Sequence, residues 1–263
     1  MPDPAIVSLM QRLFTLALCL CAGLMATTAT AAEHAQKILI VVTNHGKLGD
    51  TGEPTGYYLS EVAHPWHVFR EAGYTVDFAS PKGGFAPMDP RSFDLEDATN
   101  RTFWETLEAV QALAQTKKLG EIDPQNYAAI FFAGGHGTMW DFPSESVGKK
   151  LMAFYGKDKP IGAVCHGPAA LLFARHDDGT LLIDGRKVGG FTNEEEKAVG
   201  LQQAVPFLLE SKLKEGGADF RQSGKFEQHV SVSGHLVTGQ NPASATAAAE
   251  EIVRLLQGQG HRS

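Results

Sequence analysis

Short apolar runs alternate with segments of helical periodicity along most of this chain, and that alternation restricts the fold more than any other feature. Residues 37–43, 128–133 and 160–164 are apolar runs rich in Ile, Val, Phe and Ala, which is typical of buried strands in a parallel sheet. The segments between them have the spacing of amphipathic helices. We therefore predict an α/β domain with a doubly wound, mostly parallel sheet and helices on both faces.

The remaining helices and strands are predicted from the same patterns and from the glycines and prolines that mark their ends. Helices are predicted at 64–73, 102–118, 147–155, 168–173 and 204–215, and a last helix is predicted from Asn241-Pro242 to residue 256. Strands are predicted at 74–80, 229–232 and 236–238, with a hairpin at 181–188 that turns at Asp184-Gly185. No repeat or clear linker interrupts this series, so one domain is predicted over residues 33–263.

The first 32 residues have the pattern of a secretory signal peptide. Arg12 precedes an apolar run at 13–25, and Ala29-Thr30-Ala31 provides a small-residue cleavage site. The apolar run is shorter than the roughly 20 residues that a membrane span needs, which favours cleavage over anchoring. The mature protein is therefore expected to be exported, periplasmic or secreted, with no membrane attachment after cleavage.

Cleavage would leave Cys165 as the only cysteine of the mature chain, because Cys19 and Cys21 lie in the leader. Cysteines of exported proteins are usually paired in disulfides, so a single thiol is unusual there. Such a thiol is either inert and buried or kept for its reactivity.

The overall charge argues against one class of partner. The chain carries a net charge of −7. Because phosphate binding requires a basic surface, no nucleic-acid partner is expected.

Two motifs stand where predicted strands end, which is where open parallel sheets bind their ligands. Gly-Gly-His-Gly occupies 134–137, and Cys-His-Gly-Pro occupies 165–168. A nucleophile between a strand and a helix lies on a tight, strained turn, and the helix N-terminus favours a thiolate. We therefore predict that Cys165 is a nucleophile with a lowered pKa, and that the backbone N–H groups of Gly135 and His166 bind an oxyanion.

Other interpretations of the glycines and histidines are weaker or remain open. No Gly-Lys-Ser/Thr follows for a P-loop, and a dinucleotide fingerprint counted from Gly135 would need a glycine where Trp140 stands. The glycine segment could instead be a plain tight turn. His64 and His67 are interpreted as packing or solvent-facing residues, since a zinc site built from them or from His136 has no diagnostic spacing. No metal and no cofactor are predicted.

Four segments, in order, resemble the PfpI superfamily, which shares the class I glutamine amidotransferase-like fold. They are Glu-Val-Ala-His-Pro at 61–65, Ala-Gly-Gly-His-Gly-Thr at 133–138, Ala-Val-Cys-His-Gly-Pro at 163–168 and Gly-Phe-Thr-Asn at 190–193. Within that superfamily the chain is most similar to the heat-shock-chaperone-like branch, known for glutathione-independent glyoxalase (glyoxalase III) activity. The resemblance covers nearly all of the mature chain and implies a flavodoxin-like sheet.

The resemblance also implies which residues act in catalysis. The family's nucleophilic cysteine, on the tight strand-to-helix turn called the elbow, matches Cys165, and the histidine after it matches His166. The family's acid that contacts the sulfur matches Glu61. The acid that orients the histidine falls on Glu196. Since that segment departs from the family pattern at two positions, Glu195 remains the alternative.

The implied function is conversion of methylglyoxal-type 2-oxoaldehydes to 2-hydroxy acids through a cysteine hemithioacetal. The enzyme would be a lyase of the hydro-lyase class, active in methylglyoxal detoxification and the stress response, with a small dicarbonyl substrate as its partner. Three alternatives stay open: a protein deglycase, a holdase chaperone with Cys165 as redox sensor, and a cysteine amidase or peptidase. A homodimer is a further open option. Export is a departure, because familiar members of this branch are intracellular.

The acids are expected to contribute unequally. By default the acidic run at 194–196 is solvated, and Glu195 is expected to face solvent and to matter least. Glu61, which can act on the protons that move during isomerisation, should matter most. Glu196, which would only orient the histidine, should fall between them.

Overall fold

A seven-stranded sheet forms the centre of the computed structural model, which describes residues 37–258. The strands in chain order are β1 (Lys37–Val41), β2 (Thr75–Ser80), β3 (Lys117–Lys118), β4 (Ala129–Phe132), β5 (Ile161–Val164), β6 (Lys187–Val188), β7 (Asp219–Phe220), β8 (Val230–Ser233) and β9 (Leu236–Gly239). The proposed leader at 1–32 lies outside the described residues, so its cleavage and the domain boundary after it stay predictions.

The order of the strands is that of a doubly wound sheet. The central sheet runs β3-β2-β1-β4-β5-β9-β8, and every neighbouring pair is parallel except β8 with β9. β6 and β7 form a separate, parallel two-stranded sheet. The predicted α/β class with a mostly parallel, flavodoxin-like sheet is therefore confirmed.

The α-helices in chain order are α1 (Leu59–Glu71), α2 (Ala98–Glu105), α3 (Leu107–Ala114), α4 (Thr138–Asp141), α5 (Glu145–Tyr155), α6 (Asn193–Ala198), α7 (Leu209–Glu215) and α8 (Ala245–Leu256). Short 3-10 helices occur at Pro90–Ser92, Leu119–Glu121, Pro124–Asn126, Gly167–Phe173 and Pro242–Ser244. Within residues 37–258, no helix has both the length and the apolar character that crossing a membrane requires.

Both faces of the sheet are covered, as the alternation of side chains along β1 shows. Ile38 and Ile40 belong to one buried cluster, which includes residues of α1 and α8. Leu39 and Val41 belong to the other, which includes residues of α5. These four side chains are fully buried, and each burial contributes about 1.5–3 kcal/mol relative to exposure. The core thus consists of two layers that hold the sheet rigid between them.

The prediction of one continuous helix at 102–118 is wrong, because the segment contains parts of two helices and a short strand. Thr106 is extended, with a ψ of 98°, and separates α2 from α3. Its Oγ1 donates to the carbonyl oxygen of Thr102 at 2.7 Å, and such side-chain bonds compete with helical ones. After Ala114 the chain turns into Lys117–Lys118, which pairs with β2 at the sheet edge.

The hairpin predicted at 181–188 is also wrong, although its turn forms. Gly185 has a φ of +68°, a left-handed conformation that glycine adopts easily. Lys187–Val188, however, pairs in parallel with Asp219–Phe220 rather than with the strand before the turn. The strand that pairs with Lys187–Val188 lies about thirty residues further along the chain. A local sequence pattern cannot indicate such a distant partner.

Several helices differ from the predicted ones in extent or type. α1 begins at Leu59 rather than at residue 64, and α7 begins at Leu209 rather than at residue 204. The segment after Cys165 is a 3-10 helix, Gly167–Phe173, rather than an α-helix. Hydrogen-bond geometry is poorer in 3-10 helices, so a weaker N-terminal field acts on the thiol than an α-helix would supply.

The topology brings the two motifs to one edge of the sheet. β4 and β5 are parallel neighbours, with Phe132 opposite Ala163, so the segments that follow them lie side by side. The start of α1 lies at the same edge, since the backbone N–H of Tyr58 donates to the carbonyl oxygen of Gly134 at 3.1 Å. Glu61, in the first turn of α1, therefore joins the motifs.

Candidate active site

Cys165 lies directly after β5 in a conformation that side chains other than glycine rarely adopt. Its φ is +58°, which costs an ordinary residue about 1–2 kcal/mol. Two backbone bonds hold it there: Cys165 N–H donates to the carbonyl oxygen of Gly239 at 3.0 Å, and Phe191 N–H donates to the carbonyl oxygen of Cys165 at 2.8 Å. The strained elbow expected from the sequence is therefore present, and it fixes the direction of the thiol.

The imidazole of His166 connects this thiol to a carboxylate. Its Nδ1 lies 3.3 Å from Cys165 Sγ, and its Nε2 lies 2.8 Å from Glu196 Oε2. The structure thus places Glu196, and not Glu195, against His166. Because the carboxylate accepts from Nε2–H, Nδ1 is left as the acceptor that faces the thiol.

His136 contacts the other oxygen of the same carboxylate. Its Nε2 lies 3.1 Å from Glu196 Oε1, and its ring centroid lies 4.2 Å from that of His166. Arg91 Nη2 lies 3.4 Å from His136 Nδ1. From the sequence, His136 is considered only as a zinc ligand. Its position directly after the two glycines that follow β4 was nevertheless a signal that it lies at the active site. Cys165, His166, Glu196 and His136 form what we call the relay.

Burial and charge set the protonation of the relay. Burial, and then the neighbouring His166, lower the pKa of His136 to about 4. Burial alone would raise the pKa of Glu196, but His166 and His136 outweigh it and hold that pKa below its ordinary value. At neutral pH the relay therefore has an ionised Glu196 that orients two rings, of which the His136 ring is neutral.

The same residues are a group that could hold a metal ion. The ligand atoms of His136, His166 and Glu196 lie within 4.8 Å of one another. The two nitrogen–oxygen separations of 2.8 and 3.1 Å are hydrogen-bond distances, shorter than the edge of about 3.3 Å that zinc bonds of 2.0–2.1 Å would produce in a tetrahedral site. Hydrogen bonding accounts for the cluster as it stands.

Glu61 is a buried carboxyl beside the thiol. Its Oε2 accepts from the backbone N–H of Gly134 at 2.8 Å, while Oε1 has no partner of hydrogen-bond geometry. A Cβ on residue 134 would lie 2.4 Å from Oε2, so only glycine fits there. Burial raises the pKa of Glu61 to about 8, although hydrogen bonds from Cys165 and Gly134 work in the opposite direction. The carboxyl is therefore mostly protonated at neutral pH.

The thiol and Glu61 titrate as one pair. Burial, and then the charge of Glu61, raise the pKa of Cys165 well above its ordinary value. The lowered pKa predicted from the helix N-terminus is therefore wrong, since burial and a like charge exceed the field of a short 3-10 helix. The first proton that the pair loses leaves one negative charge, and the remaining proton can be shared between carboxyl and sulfur.

Gly135 brings backbone close to the thiol. Its φ is +101°, and a Cβ there would lie 2.3 Å from the carbonyl oxygen of Gly56 and 2.6 Å from the backbone nitrogen of Tyr58. No side chain fits such a position. Gly135 lines the same pocket as Cys165 and His166, which is the placement that an oxyanion-binding role requires.

An active-site pocket of about 290 Å³ opens above Cys165. Its lining consists of Tyr58, Arg91, Gly135, His136, Cys165, His166, Phe191, Val199, Phe226 and Pro242. Arg91 is the cation of this lining, and Asp89 holds it through two bonds of 2.9 and 2.5 Å. Much of the remaining wall is apolar, as small-molecule sites usually are.

A larger cavity of about 600 Å³ lies elsewhere, between Lys187, Arg221 and Val232 among others. Neither Cys165 nor any other member of the relay lines it. We therefore assign the chemistry to the smaller pocket, which contains the thiol.

Glu195 does not face solvent, so that expectation is wrong. The side chain is fully buried and forms a capping box with Thr192. Its Oε1 also accepts from Phe226 N–H at 2.8 Å, Gln240 Nε2 at 3.0 Å and Asn241 Nδ2 at 2.8 Å. Five hydrogen bonds compensate for burying the charge, which a local acidic run gave no reason to expect.

The two other histidines considered from the sequence lie apart from the pocket. His64 Nε2 lies 3.0 Å from Asp97 Oδ2, and Nδ1 lies 3.2 Å from Thr246 Oγ1. These bonds connect α1 with the N-cap of α2 and with α8. His67 is exposed. Neither residue lines the active-site pocket.

Comparison with known proteins identifies relatives for most of the chain. The model of the DJ-1/PfpI family matches residues 54–255. Glyoxalase 3 of Candida albicans is 32% identical over 231 residues, which cover 82% of this chain and 97% of that protein. Glutathione-independent glyoxalase HSP31 of Saccharomyces cerevisiae is 30% identical over 236 residues, which cover 84% of this chain and 98% of that protein.

Solved structures agree with these relatives. The crystal structure of glyoxalase III from Candida albicans matches with a TM-score of 0.77 and 27% identity, over 88% of this chain and 99% of that chain. Rapid Encystment Protein 24 KDa of Francisella tularensis matches with a TM-score of 0.81 and 38% identity, over 84% of this chain and 99% of that chain.

Proposed function

Because this chain belongs to the DJ-1/PfpI family, we propose that it is a glutathione-independent glyoxalase whose reaction centre is Cys165. The resemblance found in the sequence is thus confirmed. The substrates are methylglyoxal-type 2-oxoaldehydes and the products are 2-hydroxy acids. The observation that carries the proposal is the buried series of contacts from Cys165 through His166 to Glu196, with Glu61 beside the sulfur.

The reaction begins with the pair of Cys165 and Glu61 after it has lost one proton. The thiolate attacks the aldehyde carbon C1, a carbon–sulfur bond forms, and the carbonyl electrons move to O1. Glu61 gives its remaining proton to O1, which yields a hemithioacetal and leaves Glu61 ionised. Because the carboxyl has a pKa of about 8, it can give up and regain a proton near neutral pH.

Isomerisation moves hydrogen from C1 to C2. The ionised Glu61 removes the proton from C1, and the electrons form an enediolate whose charge rests on O2. Backbone N–H groups of Gly135 and His166 stabilise that charge. Glu61 then returns the proton to C2, while His166 Nδ1 passes the O1 proton to O2. The product of this step is a 2-hydroxy thioester on Cys165.

Hydrolysis releases the product and restores the thiolate. A water molecule attacks the thioester carbon, and His166 takes its proton while Glu196 orients the ring and stabilises the imidazolium. The carbon–sulfur bond breaks, and the sulfur leaves with the electron pair. The proton on His166 then returns to Glu61 through solvent, which restores the starting state of the pair. One water is consumed. C1 is oxidised from aldehyde to acid while C2 is reduced from ketone to alcohol, so neither glutathione nor an external oxidant is required.

Lactate formation from methylglyoxal tests this function. Purified protein of residues 33–263 is incubated with methylglyoxal in buffer free of thiols, and proton NMR follows lactate. We expect catalytic turnover that Cys165→Ser abolishes. If the serine variant forms lactate at the wild-type rate, or if the wild type forms none, the proposal is overturned.

We further propose that residues 1–32 are a cleaved leader and that the enzyme acts in an exported compartment as a hydro-lyase. Arg12, the apolar run at 13–25 and Ala29-Thr30-Ala31 support this proposal. N-terminal sequencing of the secreted protein should begin near residue 32 or 33. An uncleaved chain in the membrane fraction would contradict it.

A further inference from the structure

A turn at residues 224–227 carries an aromatic side chain in a conformation that favours glycine. Glu227 N–H donates to the carbonyl oxygen of Gly224 at 3.0 Å, which closes the turn. Phe226, at its third position, has a φ of +63°. Turns of this kind place glycine or asparagine there, and a bulky residue in the left-handed region indicates strain that surrounding structure must hold.

Glu195 supplies much of the structure that holds this turn. Its Oε1 accepts from the backbone N–H of Phe226 itself at 2.8 Å and from the side chains of Gln240 and Asn241. The same two amides donate onward to the carbonyl oxygens of Gly224, at 3.2 Å, and of Glu227, at 2.7 Å. One buried carboxylate and two amides thus tie down both ends and the strained residue of the turn.

The held side chain is part of the wall of the active-site pocket. The ring centroid of Phe226 lies 6.4 Å from that of Phe191, which in turn lies 4.5 Å from that of His166. Phe226 and the neighbouring Val199 are 46% and 41% exposed, so an apolar rim faces solvent when the pocket holds no substrate. A ligand that covers this rim gains the free energy of burying it.

A three-carbon aldehyde does not use this wall. The pocket volume of about 290 Å³ is close to the lower end of the range that encloses drug-sized ligands. With C1 bound to Cys165, the methyl group of methylglyoxal is too small to fill the remaining space and cover Phe226. A larger apolar substituent at C2 would do both.

We propose that Phe226 determines specificity by selecting 2-oxoaldehydes that carry a bulky apolar group, aromatic or branched, at C2, and that Glu195 positions it. This inference rests on the proposed function, since it names the substrate class of the same pocket. Glu195 and Glu196 are consecutive in α6, so one turn of helix positions both the specificity wall and the relay.

Initial rates with two aldehydes test the wall. Phenylglyoxal and methylglyoxal are compared by kcat/KM in the wild type and in Phe226→Ala. We expect the wild type to prefer phenylglyoxal, and the preference ratio to fall by about tenfold or more in the variant, mainly through KM. Phe85→Ala is the matched control, because Phe85 is 69% exposed and does not line the pocket. Its ratio should equal that of the wild type.

The positioning role of Glu195 is tested by the same ratio. Glu195→Gln should shift the preference in the direction of Phe226→Ala, and the double variant should add little further shift, as expected for residues that act through one contact. Phe226→Asn keeps a left-handed turn and removes the ring, so it tests the wall even where Glu195→Gln fails to fold. A preference unchanged in both Phe226 variants would overturn the proposal.

A binding measurement separates this inference from the proposed function. On protein carrying Cys165→Ser, the dissociation constants of mandelate and lactate are compared with and without Phe226→Ala. Tighter binding of mandelate that disappears with the ring supports the wall, whether or not the wild type turns over either aldehyde. Equal binding of the two acids, or a difference that persists without the ring, overturns it.

Discussion

Cys165 and Phe226 are two non-glycine residues in the left-handed backbone region, and both line the active-site pocket. Different kinds of contact hold them in that conformation. Backbone bonds to Gly239 and Phe191 fix the elbow of Cys165, so its conformation is a property of the sheet. Side chains fix Phe226, and Glu195 is the main one. The comparison teaches that the conformation of the reactive residue depends on backbone contacts of the fold, whereas the conformation of Phe226 depends on a few polar side chains.

The largest effect should come from the elbow. Cys165→Ser should lower kcat/KM for methylglyoxal by on the order of 10⁴-fold or more, because no other described group near the pocket can replace the thiolate. Circular dichroism and melting should remain close to the wild type, since serine fits the same volume. A chaperone whose function does not need the thiol would keep protecting clients from aggregation in this variant.

The second largest loss of activity should come from substitution of Glu61. Glu61→Gln removes the group that we assign to the proton transfer from C1 to C2, a role worth about 10²–10⁴-fold in rate. Steady-state kinetics should show the loss mainly in kcat. A loss below about tenfold would transfer the assignment to His166, the other group that contacts the sulfur.

Glu196 should have a smaller but clear effect. Glu196→Gln removes the charge that orients His166 and His136, and we expect a loss of about 10²-fold. Glu194→Gln is the matched control, because Glu194 is the exposed member of the same acidic run. Equal losses in the two variants would show that the relay does not depend on this carboxylate.

The pH dependence should report the pair of Cys165 and Glu61. Well below pH 8 the pair mostly holds both protons and little thiolate forms, so kcat/KM should rise about tenfold per pH unit there and level off above the pKa of about 8. Glu61→Gln should move that inflection, because the titrating carboxyl is gone. An inflection that stays in place would mean that another group controls the profile.

Glu195 should affect stability more than any surface acid. Glu195→Ala leaves buried donors from Thr192, Gln240, Asn241 and Phe226 without a partner, and the free energy of unfolding should fall by about 3 kcal/mol or more. For a chain of this size each kcal/mol lowers Tm by about 2–4 °C. Glu194→Ala, its exposed neighbour, should change stability by less than about 0.5 kcal/mol. A similar small change at both positions would refute the role of Glu195.

Local patterns were sufficient for the central strands β1, β4 and β5 and for the elbow at Cys165. The apolar runs at 37–43, 128–133 and 160–164 contain β1, β4 and β5, because strands buried on both faces are marked by their own residues. Cys165 follows the last of them and could be placed at the strand ends before any contact was known. Glu61 and Glu196 came from the resemblance to a family, not from the pattern.

The polar network around the pocket could not be predicted in this way. Glu195 looked like part of a solvated run, but its partners Phe226, Gln240 and Asn241 lie 31 to 46 positions away in the chain. The burial of a charge is decided by such distant donors, which no local periodicity records. The contact of His136 with Glu196 is likewise distant, 60 positions along the chain, although the place of His136 directly after the glycines at a strand end was a local signal.

The most direct test of the account is the covalent intermediate. Wild-type protein mixed with methylglyoxal is quenched within a turnover, digested and analysed by mass spectrometry. We expect a mass gain of one methylglyoxal on the peptide that contains Cys165, forming and decaying at rates that match lactate production, and no such adduct in Cys165→Ser. Lactate production by wild-type protein whose Cys165 peptide stays unmodified throughout would contradict the central claim.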